Sequence, residues 1–186
     1  MNPAESERGA LLVCLDMQPA FVRAVARGDA VLRRCRFAVA AARLLGIPVA
    51  FTEQVPGKLG GTDPDLRALA QAPAVYAKDT FSALAEGCPA REGLLAGGAE
   101  HLLLCGVETP ICVYQTALGA LRAGLAVTIL SDCVGARREA DAAACLDALA
   151  RAGAHVLPAE SVFYSILGGA KHPAFRAFTD LVKSHA

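Results

Sequence analysis

The sequence predicts a three-layer α/β protein, in which an open parallel sheet of six strands in the order 3-2-1-4-5-6 carries helices on both faces. Two observations lead to this fold class. First, a helix-like stretch, a glycine and a short apolar strand follow one another repeatedly, as in ARLLGIPVAFT (Ala42–Thr52) and ALRAGLAVTILSD (Ala120–Asp132). Second, the strands are continuous apolar runs, which is the pattern of strands buried on both faces of a parallel sheet. This alternation is typical of an open sheet covered on both sides.

The elements follow from hydrophobic periodicity and from glycines that end helices. One helical stripe is formed by Val31, Cys35, Ala38, Val39, Ala42 and Leu45. Glycine just past a helix readily adopts the left-handed conformation that other residues resist. The predicted strands are 11–15, 48–52, 75–78, 101–106, 126–131 and 154–157. The predicted helices are about 30–45, 91–96, 110–123, 138–152, 160–168 and 174–184. Residues 53–74 are polar and glycine-containing, and they are predicted to be irregular and to form a substrate lid.

Composition indicates one domain over residues 1–186, with residues 1–9 as a polar N-terminal tail. The chain has 18 basic and 18 acidic residues, so no basic field predicts a nucleic-acid or membrane partner. Seven cysteines, an odd number without a CxxC pair, favour free thiols in a reducing compartment. The N-terminus lacks an apolar signal segment, and no apolar run approaches the roughly 20 residues of a membrane span. We therefore expect a cytoplasmic protein.

Polar residues at strand ends point to the site. In an open α/β sheet, ligands bind beyond the carboxyl ends of the strands, where the strand order reverses. The first predicted strand ends in Asp16, the third in Lys78, and the fourth leads to Glu108 and Cys112. In the predicted strand order, the carboxylate, the ammonium and the thiol converge at one edge of the sheet.

The segment around Cys112 resembles the start of a helix. Thr109 is a favourable N-cap and Pro110 suits the first helical position, which makes Cys112 the third helical residue. A thiol at the positive end of a helix is expected to have a lowered pKa, and Lys78 would lower it further. The free N–H groups at this position could also stabilise an oxyanion.

Other chemistries lack their motifs. The sequence has no GxGxxG after a strand, no GxxxxGK[ST] and no GxSxG, so nucleotide binding and serine hydrolysis are not supported. The four histidines are scattered without ligand spacing. We therefore expect neither a metal nor another cofactor.

Three segments resemble the signature segments of the isochorismatase-like cysteine hydrolases. They are LLVCLDMQPAF (Leu11–Phe21), AKDTFSAL (Ala77–Leu84) and GVETPICVYQTALGAL (Gly106–Leu121). FTEQVPGKLGGT (Phe51–Thr62) and KHPAFRAF (Lys171–Phe178) resemble the subgroup of isochorismatase domain-containing proteins. The resemblance covers nearly the whole chain after residue 10.

The resemblance implies an Asp–Lys–Cys catalytic triad, which maps onto Asp16, Lys78 and Cys112. It also implies a cis peptide at Val107–Glu108 that turns a backbone N–H inward, so that the Glu108 and Cys112 amides form an oxyanion hole. Nicotinamidase-like relatives carry a D-x-H metal motif where this chain has Thr52-Glu53-Gln54, which argues against a metal and against that activity. True isochorismatases lack the nucleophilic cysteine, so Cys112 argues against isochorismatase activity as well.

We therefore expect a hydrolase of a small amide or related C–N bond that acts through a thioester. The residues predicted to line its pocket are Gln18, Phe21, Gln54, Phe81 and Tyr114. Asp132 is expected to hold a loop rather than to react. The expected partners are a small-molecule substrate and further copies of the chain in a homo-oligomer.

Two alternatives remain open. The chain could be a catalytically silent oligomeric scaffold, with an interface built from Phe175, Phe178, Leu181 and Val182. Cys112 could instead serve in redox or thiol transfer, with Cys133 as its partner.

Overall fold

A computed structural model describes residues 9–185 of the chain. Of the predicted N-terminal tail, residues 1–8 lie outside the described part, as does residue 186. The six strands are β1 (Ala10–Leu15), β2 (Val49–Gln54), β3 (Ala74–Lys78), β4 (His101–Val107), β5 (Ala126–Gly135) and β6 (His155–Leu157). They form one sheet in the order β3-β2-β1-β4-β5-β6. Every neighbouring pair is parallel. The predicted fold class and strand order are confirmed.

Helices cover both faces of the sheet. They are α1 (Pro19–Ala24), α2 (Gly28–Leu44), α3 (Pro56–Leu59), α4 (Pro64–Leu69), α5 (Pro89–Ala96), α6 (Tyr114–Arg122), α7 (Glu139–Arg151), α8 (Ala159–Leu167) and α9 (Phe175–Ser184). Leu12 and Cys14 of β1 face the core that contains α2, α8 and α9. Val13 and Leu15 face the opposite core, which contains α5, α6 and α7. This alternation explains why β1 is apolar without interruption.

Three predictions about local structure were wrong. Residues 53–74 are not irregular throughout, because β2 runs to Gln54 and the short helices α3 and α4 follow. Helix α1 was missed, since its six residues are too short to show a periodic pattern. The helix predicted at 110–123 starts as a π-helical turn at Thr109–Val113 and becomes α6 only at Tyr114. Pro56 and Pro64 each occupy the first turn of their helix. Proline is tolerated there because backbone N–H groups in the first turn make no hydrogen bond within the helix.

Strands β1 and β4 approach closely at a glycine. Gly106 has a φ of 111°, and a Cβ placed there would lie 2.1 Å from the Leu15 carbonyl oxygen. Only glycine combines this dihedral with this contact. The carboxyl ends of the two central strands therefore lie side by side.

The C-terminal helix α9 packs on the protein's own core. Phe178 is fully buried, and its ring centroid lies 6.0 Å from that of Phe37 and 6.2 Å from that of Phe163. Leu181 and Val182 pack partly buried against the same cluster. Three of the four positions suggested above as a subunit interface thus pack against the chain's own core.

Candidate active site

The three predicted catalytic side chains lie together at the carboxyl edge of the sheet. Asp16 follows β1, Lys78 ends β3, and Cys112 lies in the π-helical turn after β4. Lys78 Nζ is 2.6 Å from Asp16 Oδ2 and 3.7 Å from Cys112 Sγ. All three residues are buried. The site therefore lies at the switch point between β1 and β4.

Asp16 is held by the neighbouring strand. Its backbone has a φ of 53°, a left-handed conformation that aspartate tolerates better than most residues. Its N–H donates to the Thr52 carbonyl at 3.1 Å, and its Oδ1 accepts a 2.6 Å hydrogen bond from Thr52 Oγ1. Thr52 pairs with Leu15 in the β1–β2 register. The carboxylate is thus fixed toward the site by β2.

Lys78 reaches across the end of β2. Its ammonium donates to Asp16 Oδ2, to Gln54 Oε1 and to the Thr80 carbonyl, the last at 3.2 Å. With Cys112 Sγ at 3.7 Å, Lys78 has four acceptors for the three N–H donors of an ammonium. Removing a lysine ammonium from water is costly unless it is paired, and the hydrogen bonds of this network offset that cost.

Cys112 lies in a turn that is wider than an α-helical turn. The N–H groups of Ile111 and Val113 both donate to the Glu108 carbonyl, at 3.0 and 3.2 Å. The Val107–Glu108 peptide bond is cis. Glu108, rather than Thr109, is the residue that precedes the turn, and the Thr109 hydroxyl is buried without a hydrogen-bond partner. Cys112 is therefore the fourth residue of the turn instead of the third.

The expected lowering of the Cys112 pKa is wrong. Burial raises the pKa of this thiol to about 12, and the charge of Asp16 together with a hydrogen bond to its carboxylate adds to the increase. The charge of Lys78 and the Glu108 backbone N–H act in the opposite direction on the pKa but do not prevail. The sequence argument considered the helix end and omitted the desolvation. At rest, Cys112 is thus a protonated thiol that donates to Asp16.

A small pocket of about 70 Å³ opens onto the sulfur. Phe21, Gln54 and Phe81, all predicted to bind substrate, line it together with Glu108 and Cys112. Val107 and Ile111 complete the wall. Because one water occupies roughly 30 Å³ of liquid, the pocket admits only a few heavy atoms.

Gln18 and Tyr114, the other two predicted pocket residues, do not line this pocket. Gln18 is fully buried, and its side chain bonds the backbone N–H and carbonyl of Gln54 and the carbonyl of Gly60. Tyr114 packs half-buried against the core of α5, α6 and α7. Gln18 therefore fixes the backbone of Gln54 and Gly60 beside the site, and Tyr114 packs α6 against the core.

The segment predicted to be a lid is tied to the sheet. Glu53 Oε1 accepts hydrogen bonds from the Thr62 N–H at 2.8 Å and from the Thr62 hydroxyl at 2.9 Å. The Asp63 N–H donates to the Met17 carbonyl at 2.8 Å. With the bond from Gln18 to Gly60, these contacts fix α3 and the residues after it beside the site.

Sequence reasoning missed Thr52, Glu53 and Arg137. Thr52 was predicted to end the second strand and Glu53 to begin the irregular segment, and neither was predicted to support the site. The register with β1 was the signal that could have placed Thr52 next to Asp16. Arg137 Nε donates to Glu108 Oε2 at 2.9 Å, across 29 residues of sequence. Asp132, expected to hold a loop, accepts hydrogen bonds from the Ala159 N–H and from Arg34.

Within residues 9–185, one group of three potential metal ligands comes together, formed by Cys14, Cys35 and Cys105. Their sulfur atoms lie within 4.8 Å of one another in the core, on β1, β4 and α2. Burial is the main cause that raises the pKa of Cys14, whereas hydrogen bonds among the thiols are the main cause for Cys35 and Cys105. They remain protonated, which makes them core residues and poor ligands. Cys133 lies in the same core, with its sulfur 3.3 Å from the Arg34 carbonyl.

A groove of about 690 Å³ lies at the opposite edge of the sheet. Its walls include Gly9, Gly46, Pro48 and Gly97, which precede strands or end helices there. None of the triad residues lines this groove. Size alone would point to the wrong edge, and the convergence of thiol, carboxylate and ammonium identifies the small pocket instead.

The sheet and its switch-point residues define an α/β protein of the open, doubly wound class. The family model described as "Isochorismatase domain" matches residues 10–161, and the chain belongs to the isochorismatase family. The chain therefore has the fold of the isochorismatase-family hydrolases.

Relatives and a solved structure agree with this assignment. The chain is 36% identical over 176 residues to isochorismatase domain-containing protein 2 of Bos taurus, covering 93% of this chain and 82% of the relative. It is 34% identical over 175 residues to isochorismatase domain-containing protein 1 of Salmo salar, covering 93% of this chain but only 60% of the relative. The structure titled "MAR1 Ribonuclease" from Caenorhabditis elegans superposes with a TM-score of 0.88 at 29% identity, covering 95% of this chain and 91% of that one.

Proposed function

We propose that the protein is a cysteine-dependent hydrolase that cleaves a small amide or related C–N bond through a thioester. The observation that carries the proposal is the contact of a buried ammonium with both a carboxylate and a thiol, at 2.6 and 3.7 Å. Of these three residues, Cys112 lines the small pocket. A thiol beside a general base is the arrangement that covalent catalysis requires.

In the proposed reaction, Asp16 accepts and returns a proton in each of two stages. Asp16 takes the proton of the Cys112 thiol while the sulfur attacks the substrate carbonyl carbon. Asp16 then gives this proton to the leaving nitrogen as the C–N bond breaks, and a thioester remains. Water attacks the thioester, Asp16 takes a proton from the water, and the departing sulfur recovers it. Lys78 donates a hydrogen bond to the Asp16 carboxylate and balances its negative charge between these steps.

The Glu108 and Cys112 backbone amides are proposed to bind the carbonyl oxygen as negative charge develops on it. In support, the Glu108 N–H is directed at the Cys112 sulfur and lowers the pKa of this thiol. When the sulfur attacks a carbonyl carbon, the carbonyl oxygen also lies near the sulfur. A backbone N–H beside the sulfur is therefore placed to donate to that oxygen.

The two alternatives have less support. The scaffold hypothesis required the apolar positions of α9 at an interface, and Phe178 is fully buried in the chain's own core. The redox hypothesis required Cys133 near Cys112, and Cys133 lies with Cys14 and Cys35 instead.

The homo-oligomer and the cytoplasmic location remain predictions. No helix within the described residues is long and apolar enough to cross a membrane.

The experiment replaces Cys112 by Ala and measures release of ammonia or amine from a panel of small amides, ureides and hydroxamates. We expect a folded protein whose turnover falls at least about 1,000-fold, because no other group in the pocket can form the thioester. Cys145→Ala, at a half-buried cysteine on α7, is the matched control and should retain activity. Turnover by Cys112→Ala near that of the unmodified protein would contradict the proposal.

RNA belongs in the same panel, because the Caenorhabditis elegans structure is titled a ribonuclease. The balanced charge of 18 basic and 18 acidic residues does not favour a polyanion. Hydrolysis of RNA by both the unmodified protein and Cys112→Ala would indicate a different activity.

A further inference from the structure

The charge on the wall of the small pocket comes from Glu108. Four of the residues that line the pocket are apolar: Phe21, Phe81, Val107 and Ile111. Among its polar residues, Gln54 already uses its amide oxygen for Lys78 and its amide nitrogen for the Asp79 carbonyl. Glu108 is therefore the one charged residue among those that line the pocket.

The cations near the pocket are committed to other partners. Lys78 is buried, and its ammonium donates to Asp16, Gln54, Thr80 and Cys112. Arg137 bonds Glu108 Oε2 from outside, and its side chain is 63% exposed, so water screens its charge. The Glu108 side chain is only 11% exposed, so water screens its charge less than it screens the charge of Arg137.

One Glu108 oxygen remains available. The described residues give Oε2 its bond with Arg137 and give Oε1 no partner. A carboxylate oxygen of this kind accepts hydrogen bonds from N–H donors and repels a second carboxylate. In a pocket of about 70 Å³, any ligand that reaches the sulfur lies close to this wall.

We propose that Glu108 makes the site selective for small carboxamides without a negative charge, whose N–H groups donate to Oε1, and against substrates that carry a carboxylate. This inference rests on the proposed hydrolase function, and it assigns the Glu108 side chain a role in specificity separate from that of its backbone. The apolar walls further favour a short apolar acyl group on the substrate.

Two alkylating reagents of nearly equal size test the selectivity without any turnover. Iodoacetamide is neutral, iodoacetate is an anion, and both alkylate Cys112; peptide mass spectrometry gives the rate at this residue. The ratio of the iodoacetamide rate to the iodoacetate rate at Cys112 is divided by the same ratio for 2-mercaptoethanol, which removes the intrinsic difference in reactivity between the two reagents. We expect a normalised preference for iodoacetamide of at least about tenfold, since like charges a few ångströms apart in a poorly solvated pocket repel strongly.

Two variants assign the preference to Glu108. Glu108→Gln keeps the shape but removes the charge, and it should lower the normalised ratio at least about fivefold. Arg137→Gln removes the compensating charge and should raise the ratio. The matched control Arg151→Gln, at an exposed residue of α7, should leave it unchanged. A normalised ratio near one, or a ratio unaffected by Glu108→Gln, would overturn the proposal.

Turnover separates this inference from the proposed function. Malonamate carries a carboxylate where propionamide carries a methyl group. We expect kcat/KM to be at least about tenfold higher for propionamide. Preference for iodoacetamide without turnover of any amide would contradict the hydrolase proposal alone. Turnover of both amides at equal kcat/KM would contradict the charge selection alone.

Discussion

The buried ion pair of Asp16 and Lys78 depends on the hydrogen bonds that each partner makes elsewhere. Asp16 accepts from Thr52, while Lys78 donates to Gln54 and Thr80. Two charges removed from water stabilise a protein only when such bonds replace their hydration. The pair is therefore vulnerable to loss of either member.

We predict that Lys78→Met lowers the free energy of unfolding by about 3–5 kcal/mol, because it leaves the Asp16 carboxylate buried without a cation. Urea denaturation measures this loss. Arg151→Met is the control, since its pair with Asp147 is exposed and such pairs contribute about 0–1 kcal/mol. The double variant Asp16→Asn/Lys78→Met has no unpaired carboxylate and should be more stable than Lys78→Met. Equal stability of the two variants would show that the unpaired charge does not cause the loss.

The raised pKa of Cys112 predicts its reactivity with pH. With a pKa of about 12, the thiolate fraction rises about tenfold per pH unit from pH 7 to 10, so the rate of alkylation by iodoacetamide should rise without a plateau. Asp16→Asn removes a charge and a hydrogen bond that raise the pKa, so its Cys112 should react faster at a given pH. A plateau near neutral pH in the unmodified protein would show that the pKa is low.

At the scale of elements, the site is made by four strand ends that meet. Asp16, Gln54, Lys78 and Glu108 follow or end β1, β2, β3 and β4. Parallel strands bring their carboxyl ends to one edge, so residues far apart in sequence come within contact distance. The β1–β4 approach at Gly106 sets the separation between the Asp16 carboxylate and the turn that contains Cys112.

We predict that Gly106→Ala lowers the free energy of unfolding by about 3 kcal/mol or more, because a Cβ would lie 2.1 Å from the Leu15 carbonyl oxygen at a φ of 111°. Gly97→Ala is the matched control, since Gly97 has a φ of −76° and no atom within 4 Å of the added Cβ. Its stability should change by less than about 1 kcal/mol. Equal effects in urea denaturation would contradict the close approach of the strands.

At the scale of the whole molecule, the two faces of the sheet have separate cores, and the C-terminal helix closes one of them. Phe178 packs against Phe37 of α2 and Phe163 of α8. Phe81, in contrast, is 55% exposed at the mouth of the pocket. One phenylalanine thus packs in the core, and the other lines the pocket.

A pair of substitutions tests this separation. Phe178→Ala should lower the free energy of unfolding by about 3–5 kcal/mol, which is typical of a fully buried phenylalanine. Phe81→Ala should change it by no more than about 0.5 kcal/mol, because the side chain is largely in water. Phe81→Ala should instead raise the KM of an accepted amide. A large loss of stability in Phe81→Ala would contradict its placement.

Prediction from sequence succeeded where a local pattern had one structural meaning. Continuous apolar runs separated by glycine-ended helices predicted the sheet. The strand ends then predicted that Asp16, Lys78 and Cys112 lie close together, as they do in the structure. It failed for the Cys112 pKa, since desolvation depends on the surroundings of the folded site. It also failed for Gln18, a polar residue near the triad that faces the Gln54 backbone, and for Arg137, whose contact with Glu108 spans distant segments.

The groove at the far edge of the sheet marks a region that takes no part in the proposed chemistry. Gly46 and Gly97 border it, and an added Cβ at either would meet no atom within 4 Å. A spectroscopic probe or a surface-immobilisation handle inserted at these turns would leave the triad's surroundings untouched. Such derivatives would allow turnover to be observed on single immobilised molecules.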